Sequence, residues 1–338
     1  MNDRVLVTGG AGYLGSHTVL TLLESGKEVV VLDNFSNSSH HSIDGIERIC
    51  GKRPIVVQAD ARDSLALSHV FQKYDIEAVF HFAGLKSVEE SVRTPEVYYE
   101  ENIGTTLNIA EQMRIAGVRA LVFSSSATVY DPSETPPYGE ASKTGPNNPY
   151  GQTKLLIEQT LTDLANINDQ WSIGLLRYFN PVGAHPSGHI GEAPSGKPNN
   201  LMPLLMQVGI GKVDKLFIFG DNYDTPDGTC IRDFIHVMDL ARGHIAALRF
   251  LQKTNGIHTW NLGTGIGTSV RELIQFVERV TGTEIPKEVV GRRKGDSPVA
   301  VADPSKAFNE LDWRPEHTIE NMCIDHWNWQ RQNPDGYL

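Results

Sequence analysis

Six short apolar runs, none interrupted by alternating polar residues, constrain the fold of this chain more than any other feature: residues 5–7, 29–32, 55–57, 78–82, 121–123 and 173–176. A strand that is apolar on every residue is buried on both faces, as in a parallel sheet covered by helices on either side. Segments of helical period separate the runs, and repeated strand–helix units at spacings of about 20 to 45 residues spell a doubly wound sheet. After Asn180 the pattern breaks. Residues 181–200, "PVGAHPSGHIGEAPSGKPNN", are rich in Gly, Pro and Asn and read as a long loop. Shorter mixed elements follow, among them "LFIFG", "RDFIHVMDLARGHIAAL" and "HTWNLGTG". The expected fold class is therefore α/β, with a first domain over 1–180. A smaller α/β substrate domain is expected over 181–338, some of whose segments return to the first.

The first run leads into "VLVTGGAGYLGSH". Gly10, Gly12 and Gly15 satisfy G-x-G-x-x-G, and Gly9, Gly12 and Gly15 the related G-x-x-G-x-x-G. Glycines at these spacings allow a tight turn and close approach of backbone to a pyrophosphate seated on a helix N-terminus. The second run ends in Asp33, where a carboxylate would accept hydrogen bonds from a ribose and repel a 2′-phosphate. Strand, glycine turn, helix and acid together predict a Rossmann-type domain that takes NAD rather than NADP. Asp60 in "VVQAD" and "HFAG" at 81–84 fall at further strand ends, where such a sheet presents its ligand.

"NPYGQTK" raises a different question. Tyr150, Lys154, Ile157, Leu161 and Leu164 share the spacing of one buried helical stripe, so a phenol and an ammonium occupy a face that should be apolar. Beside a nicotinamide they gain a task. Free tyrosine, with a pKa near ~10, is a poor base at neutral pH. A neighbouring ammonium and the positive ring of NAD+ are expected to lower that pKa. The tyrosinate would then take a proton from a substrate hydroxyl. "SSSAT" at 124–128 supplies hydroxyls at the end of the fifth run, Ser126 to anchor the reacting oxygen and Thr128 as its neighbour.

Composition narrows the partners. The net charge is -11 with no block of five basic residues, which argues against nucleic acid and anionic membranes. No apolar run approaches the ~18 residues of a membrane span. Met-Asn-Asp-Arg opens directly onto the first run, so no leader is expected. Cys50, Cys230 and Cys323 are too far apart for a disulfide framework or a metal knuckle, and a cytoplasmic location fits.

The glycine loop, the serine segment and Tyr-x-x-x-Lys resemble the extended short-chain dehydrogenase/reductase family. "LDNFSNS", "HFAGLKSV", "SSSATVY", "LLRYFNPVGAHPSG", "PNNLMP", "RDFIHVMDLA" and "RRKGD" extend the likeness nearly end to end, to the branch of 4-epimerases acting on UDP-glucose and UDP-galactose. The resemblance implies NAD contacts at Gly9, Gly12, Tyr13, Leu14, Gly15, Asp33, Asn34, Asn37, Ser38, Asp60, Ala61, Phe82, Ala83, Gly84, Lys86 and Phe179, besides Tyr150 and Lys154. It implies Tyr150 as base, Lys154 as its helper and Ser126 as hydroxyl anchor. For the UDP-hexose it implies Phe179, Asn180, Asn200, Leu201, Phe219, Arg232, Arg293, Asp296 and Ala300, and for the assembly a homodimer. The two arginines suit a diphosphate, which wants charged paired donors; an ion pair with Asp233 is the structural alternative for Arg232. Glu101, Thr105, Asp131, Phe234 and Ala300 depart from the family pattern. Alanine at 300, where some members carry tyrosine, leaves volume for an N-acetyl group, so acetylated UDP-hexoses are a further expectation. A 4-epimerase of a UDP-uronic acid or UDP-pentose and a non-catalytic NAD-binding regulator are the alternatives.

Overall fold

Each apolar run becomes a strand in the computed structural model: β1 (Arg4–Thr8), β2 (Glu28–Asp33), β3 (Ile55–Gln58), β4 (Ala78–His81), β5 (Ala120–Ser126) and β6 (Ser172–Tyr178). The later strands are β7 (Asn180–Val182), β8 (Leu216–Phe219), β9 (Ile231–His236), β10 (Gly256–Leu262), β11 (Gly267–Ser269), β12 (Lys287–Val290) and β13 (Val299–Ala300). The structure describes residues 4–337 except 168, 195, 197, 199 and 294, so the expectation drawn from residues 1–3 lies outside it. β10, β6, β5, β4, β1, β2 and β3 form one sheet in that order, every neighbour parallel.

Alternate strand residues enter opposite layers, as the two-residue period of a strand requires. Val5, Val7, Val31, Phe80 and Val122 face α1 (Tyr13–Glu24), α2 (His40–Cys50) and α8 (Val237–Leu251). Leu6, Val30, Val79, Leu121 and Phe123 face α3 (Ser64–Lys73), α5 (Pro95–Ala116) and α6 (Pro149–Ile167). Each fully buried side chain of this kind contributes roughly 1.5 to 3 kcal/mol. β3 departs from the expected burial: it is the sheet edge, with Ile55 exposed and Val56 and Val57 only half-buried. Local chemistry ends the helices. Asp63 caps α3 by accepting from the amides of Leu65 and Ala66, and α5 opens on Pro95 and closes at Gly117 with φ +72°.

The second half builds a smaller lobe around β9, which pairs with β7, β11 and β13, beside a β8–β12 pair. Its core unites Met202, Leu205 and Met206 of α7 (Leu201–Gly209), Leu273 and Val277 of α9 (Val270–Thr281), and Met322 of α11 (Ile319–Gln332). Short α4 (Val88–Arg93) and α10 (Ser305–Glu310) complete the helices among the described residues. α8 and β10 follow residue 181 in the chain yet belong to the layers of the first sheet.

Two features position a site. Strand order reverses between β1 and β4, opening a crevice beyond their carboxyl ends. Only Phe179 separates β6 from β7, so the small lobe begins where the large sheet stops.

Candidate active site

At the crevice, Gly9 turns the chain with φ +70°, and a Cβ there would lie 2.8 Å from the Ala83 nitrogen. A Cβ on Gly15 would lie 2.2 Å from the Gly9 carbonyl oxygen, so α1 can cross the turn only as glycine. Gly12 is the N-cap of α1 and no side chain caps the helix, which leaves first-turn amides for an outside anion. Tyr13 donates to the Gly183 carbonyl at 2.7 Å, and Leu14 packs on the adjoining core. These residues fit a dinucleotide pyrophosphate.

Asp33 does more than the sequence suggested. Its Oδ2 accepts from the Ala11 amide at 2.9 Å, while Oδ1 accepts from the Phe35 amide at 2.9 Å and the Ser38 hydroxyl at 2.8 Å. The carboxylate thereby ties the glycine loop to the turn carrying Asn34, Asn37 and Ser38. With about four acceptor sites on a carboxylate, capacity for a ribose hydroxyl remains. Asn34 reaches Asp60 at 3.1 Å, and Arg62 grips both Asp60 oxygens, holding that carboxyl well below its usual range. Arg62 also binds Glu101 at 2.9 Å, so this departure from the family pattern serves an exposed ion-pair chain. The Ala61 carbonyl accepts from Asn108. Phe82 and Ala83 both donate backbone amides to Thr8, and Gly84, φ +150°, passes so close to Asn102 that a Cβ would meet it at 2.8 Å. Thr105 is buried in α5.

The serine strand and the tyrosine helix meet at the end of β5. A Cβ on Gly151 would lie 2.6 Å from the Thr128 carbonyl, so this glycine lets the start of α6 close on the 127–129 turn. Ser126 Oγ accepts from the Thr128 amide at 3.2 Å and the Thr128 hydroxyl at 3.0 Å, leaving its own proton to donate to Tyr150. Lys154 is buried; its Nζ donates to the Ser124 carbonyl at 2.7 Å and lies 5.9 Å from the Tyr150 ring centre. Burial pushes the Tyr150 hydroxyl above its ordinary value, and the Ser126 hydrogen bond opposes this. Burial brings the Lys154 ammonium down to about 8, against an upward push from Glu158. Desolvation outweighs the neighbouring charge here, and sequence spacing carries no measure of it.

On the small-lobe side, Arg232 Nη1 donates to the carbonyls of Ile231 and Ser297, each at 2.9 Å, with Nη2 3.8 Å from Asp296. Asp233 is not its partner. That buried carboxylate accepts from Thr264, Gly265 and Ala302, fastening two segments to β9. Ala300 is the register partner of Arg232 and packs against a cluster of Val129, Tyr130, Tyr138 and Phe179, which brings β13 beside the segment after Ser126. Arg293 lies 3.8 Å over the Phe219 ring, and the two form a pair of their own. Asn180 is exposed in β7, and Leu201 opens α7 half-buried. Phe234 sits in the small-lobe core, and Asp131 binds Lys143 at 2.7 Å and Ser133 within its own loop.

Three residues escaped the sequence reading. Asn102 clamps Leu85 from both its amide and carbonyl sides and reaches Thr153 at 3.1 Å. Buried Glu192 takes Lys86 at 3.4 Å and Asn200 at 3.1 Å on one oxygen, joining the segment after β4 to the residue before α7. Glu158, one turn beyond Lys154, had a signal in plain view: it is the third polar residue along the Tyr150 stripe. A possible metal cluster, His236, His317 and Asp325, has ligand atoms within 4.8 Å of one another. His236 Nδ1 accepts from the Met238 amide, so the ring proton sits on Nε2 toward Asp325, while His317 stacks on the His236 ring and is held by Asp239.

A glycine turn at the switch point of a parallel sheet, facing a Ser–Tyr–Lys constellation, defines a nucleotide-cofactor enzyme that moves a proton and a hydride. The chain belongs to the NAD dependent epimerase/dehydratase family, which it matches over residues 5–263. It is 52% identical over 333 residues to the UDP-glucose 4-epimerase of Bacillus subtilis, covering 98% of each chain. Among solved structures it superposes with a TM-score of 0.96 on the UDP-glucose 4-epimerase of Stenotrophomonas maltophila with bound NAD and formylated UDP-arabinopyranose. That protein is 48% identical, over 98% of this chain and 99% of that one. The Bifidobacterium longum enzyme in complex with NAD+ and UDP gives a TM-score of 0.96 at 46% identity, over 98% and 99%.

Proposed function

We propose that the protein is an NAD-dependent epimerase that interconverts UDP-glucose and UDP-galactose. The single observation that carries this reading is the convergence of Ser126, Tyr150 and Lys154 at the crevice, in a chain about half identical to such enzymes over nearly its whole length. Bound at the glycine turn and Asp33, NAD would supply the hydride acceptor and donor for sugar C4. Tyr150 takes the C4 hydroxyl proton and later gives it back, and Ser126, whose proton points to Tyr150 in the free protein, turns it to the same oxygen when substrate is bound. Lys154 sets an ammonium next to the phenol. Arg232 and Arg293 grip the diphosphate, Asp296 orients Arg232, and Asn180, Asn200, Leu201, Phe219 and Phe179 line the nucleotide and sugar. Anchoring by the diphosphate leaves the hexose free to turn and present its opposite face. The first test is turnover of UDP-galactose by the purified protein, with nucleotide content measured after denaturation. Interconversion with retained NAD is expected; no exchange between the two hexoses would sink the reading.

A second reading follows from Ala300, whose small, half-buried side chain borders the Phe179 cluster: acetylated UDP-hexoses are accepted too. For the assembly we infer a homodimer. Exposed Val97, Leu107 and Ile115 lie within about 80° of one another on α5, an apolar side that a second copy would cover. A monomeric mass in solution would refute it. No helix among the described residues is long and apolar enough to cross a membrane, and three free cysteines support the cytoplasm as location.

A further inference from the structure

α6 sets three polar side chains on successive turns of one stripe, Tyr150 half-buried and Lys154 and Glu158 buried, and each meets a different serine of β5. Tyr150 meets the Ser126 hydroxyl, Lys154 the Ser124 carbonyl at 2.7 Å, and Glu158 the Ser125 hydroxyl at 2.5 Å. Glu158 also takes the fork of Arg177, at 3.0 Å from Nε and 2.7 Å from Nη2. Ser125 and Arg177 are direct partners in the β5–β6 register, so one carboxylate bridges both strands immediately beneath Ser126 and Tyr178. All three members are buried. Buried ion pairs are poor contributors to net stability, because an apolar set of similar volume does as well. The clamp therefore calls for a reason beyond folding.

We propose that Glu158 is a positioning residue for the reaction: it holds the serine strand in register with the tyrosine helix and keeps a negative charge beside Lys154, so that the lysine stays an ammonium next to Tyr150. This rests on Tyr150 being the base. Lys154 shares its helix with Tyr150 and Glu158 and faces His81 of β4, while Arg177 of β6 is held by Glu158 and Tyr178 of β6 acts on Tyr150. His81 is neutral, burial lowering it to about 3, and Tyr178 is held protonated by burial. Glu158 is thus the anion of the group. The sign follows. Burial already lowers Lys154 to about 8 and Glu158 pushes the other way. Neutralising Glu158 removes that push and leaves the Arg177 charge uncompensated, so the ammonium is lost at lower pH.

The test compares pH profiles of kcat in the NAD-loaded enzyme for wild type, Glu158→Gln and Ser125→Ala. In Glu158→Gln the alkaline limb is expected to move down by about half a pH unit or more, with kcat lowered and KM for the UDP-hexose little changed. Ser125→Ala loosens the clamp but keeps both charges, so its limbs stay in place while its melting temperature falls. Glu158→Asp, which restores the charge, returns the limb toward wild type. A folded, NAD-loaded Glu158→Gln enzyme with the wild-type alkaline limb overturns the proposal. Should that variant not fold, Arg177→Met reads the opposite sign: Glu158 then acts on Lys154 undivided and the limb rises, and an unmoved limb overturns the proposal equally. A wild type without epimerase activity would instead refute the underlying reading.

Discussion

The two walls of the cleft are built by different means. The cofactor wall is assembled from short, nearly continuous pieces at strand ends, where backbone does most of the holding: Gly9 and Gly15 at close approach, and amides of Ala11 and Phe35 on Asp33. The proposed substrate wall gathers side chains far apart in sequence. Arg232 on β9, Ala300 on β13 and Phe179 after β6 become neighbours only through the β7–β9–β13 pairing. A wall of backbone tolerates few substitutions and serves one ligand, whereas a wall of side chains can be retuned one residue at a time.

Removing the base should give the largest effect. Tyr150→Phe keeps the ring on the stripe while deleting the hydroxyl that Ser126 binds, and kcat is expected to fall about 10²- to 10⁴-fold. Melting temperature and NAD content should stay near wild type; preserved turnover would remove Tyr150 from the mechanism.

On the substrate wall, Arg232→Ala should act on binding. Loss of charge-assisted hydrogen bonds to a diphosphate is worth about 1.5 to 3 kcal/mol, or about ten- to a hundredfold in KM, with kcat far less changed. A kcat loss larger than the KM increase would place Arg232 at the chemistry and break the contrast between the walls.

Asp33→Ala tests the cofactor wall. Its carboxylate serves three protein donors besides any ribose, so the variant should lose NAD on purification and also lose stability, about 1 to 3 kcal/mol for buried groups left unpaired. Adding NAD to the variant should recover only part of the melting temperature. Wild-type NAD content would show that the ribose is held elsewhere.

These walls also differ in how legible they were. β1, β2, β4, β5 and β6 were readable because burial on both faces demands apolar residues throughout. Edge strand β3 carries the same kind of run, and nothing local marks it as an edge. β10, "GIHTWNL", mixes polar and apolar residues and joins β6 after a long excursion, so no window along the chain reveals its place. The glycine loop and Tyr150–Lys154 were readable because their spacing is their geometry. Glu158 was marked only by its place on that stripe, and its task appears once Ser125 and Arg177 are brought to it. The burial that raises the Tyr150 hydroxyl was not legible either, because burial is set by residues distant in the chain. The UDP-side residues came from resemblance alone, and their pairings, Arg232 with Ser297 and Arg293 with Phe219, appear only in three dimensions.

The smallest expected effect sharpens the contrast most, because it concerns selectivity rather than activity. Ala300 stands beside Arg232 in register and touches the cluster containing Phe179, Tyr130 and Tyr138. Its neighbours on β13 and beyond are committed elsewhere: the Val299 carbonyl accepts from Ser297 and Tyr138, and the Val301 carbonyl from the Tyr138 amide. The reading proposed above sets this side chain at the border of the sugar space, and Ala300→Tyr tests it. Adding a phenol where a methyl now packs would overfill that space at a cost of typically 1 to 3 kcal/mol, about five- to a hundredfold. A plain hexose, smaller at C2, should lose little, while an N-acetylated one should lose most of that factor. Measuring kcat/KM for UDP-galactose and UDP-N-acetylgalactosamine in wild type and Ala300→Tyr gives four numbers and one ratio of ratios. Selective loss of the acetylated substrate is expected. Equal loss of both would mean that the tyrosine disturbs the wall as a whole, and absence of acetylated turnover in the wild type would mean that the space beside Ala300 is closed by its neighbours.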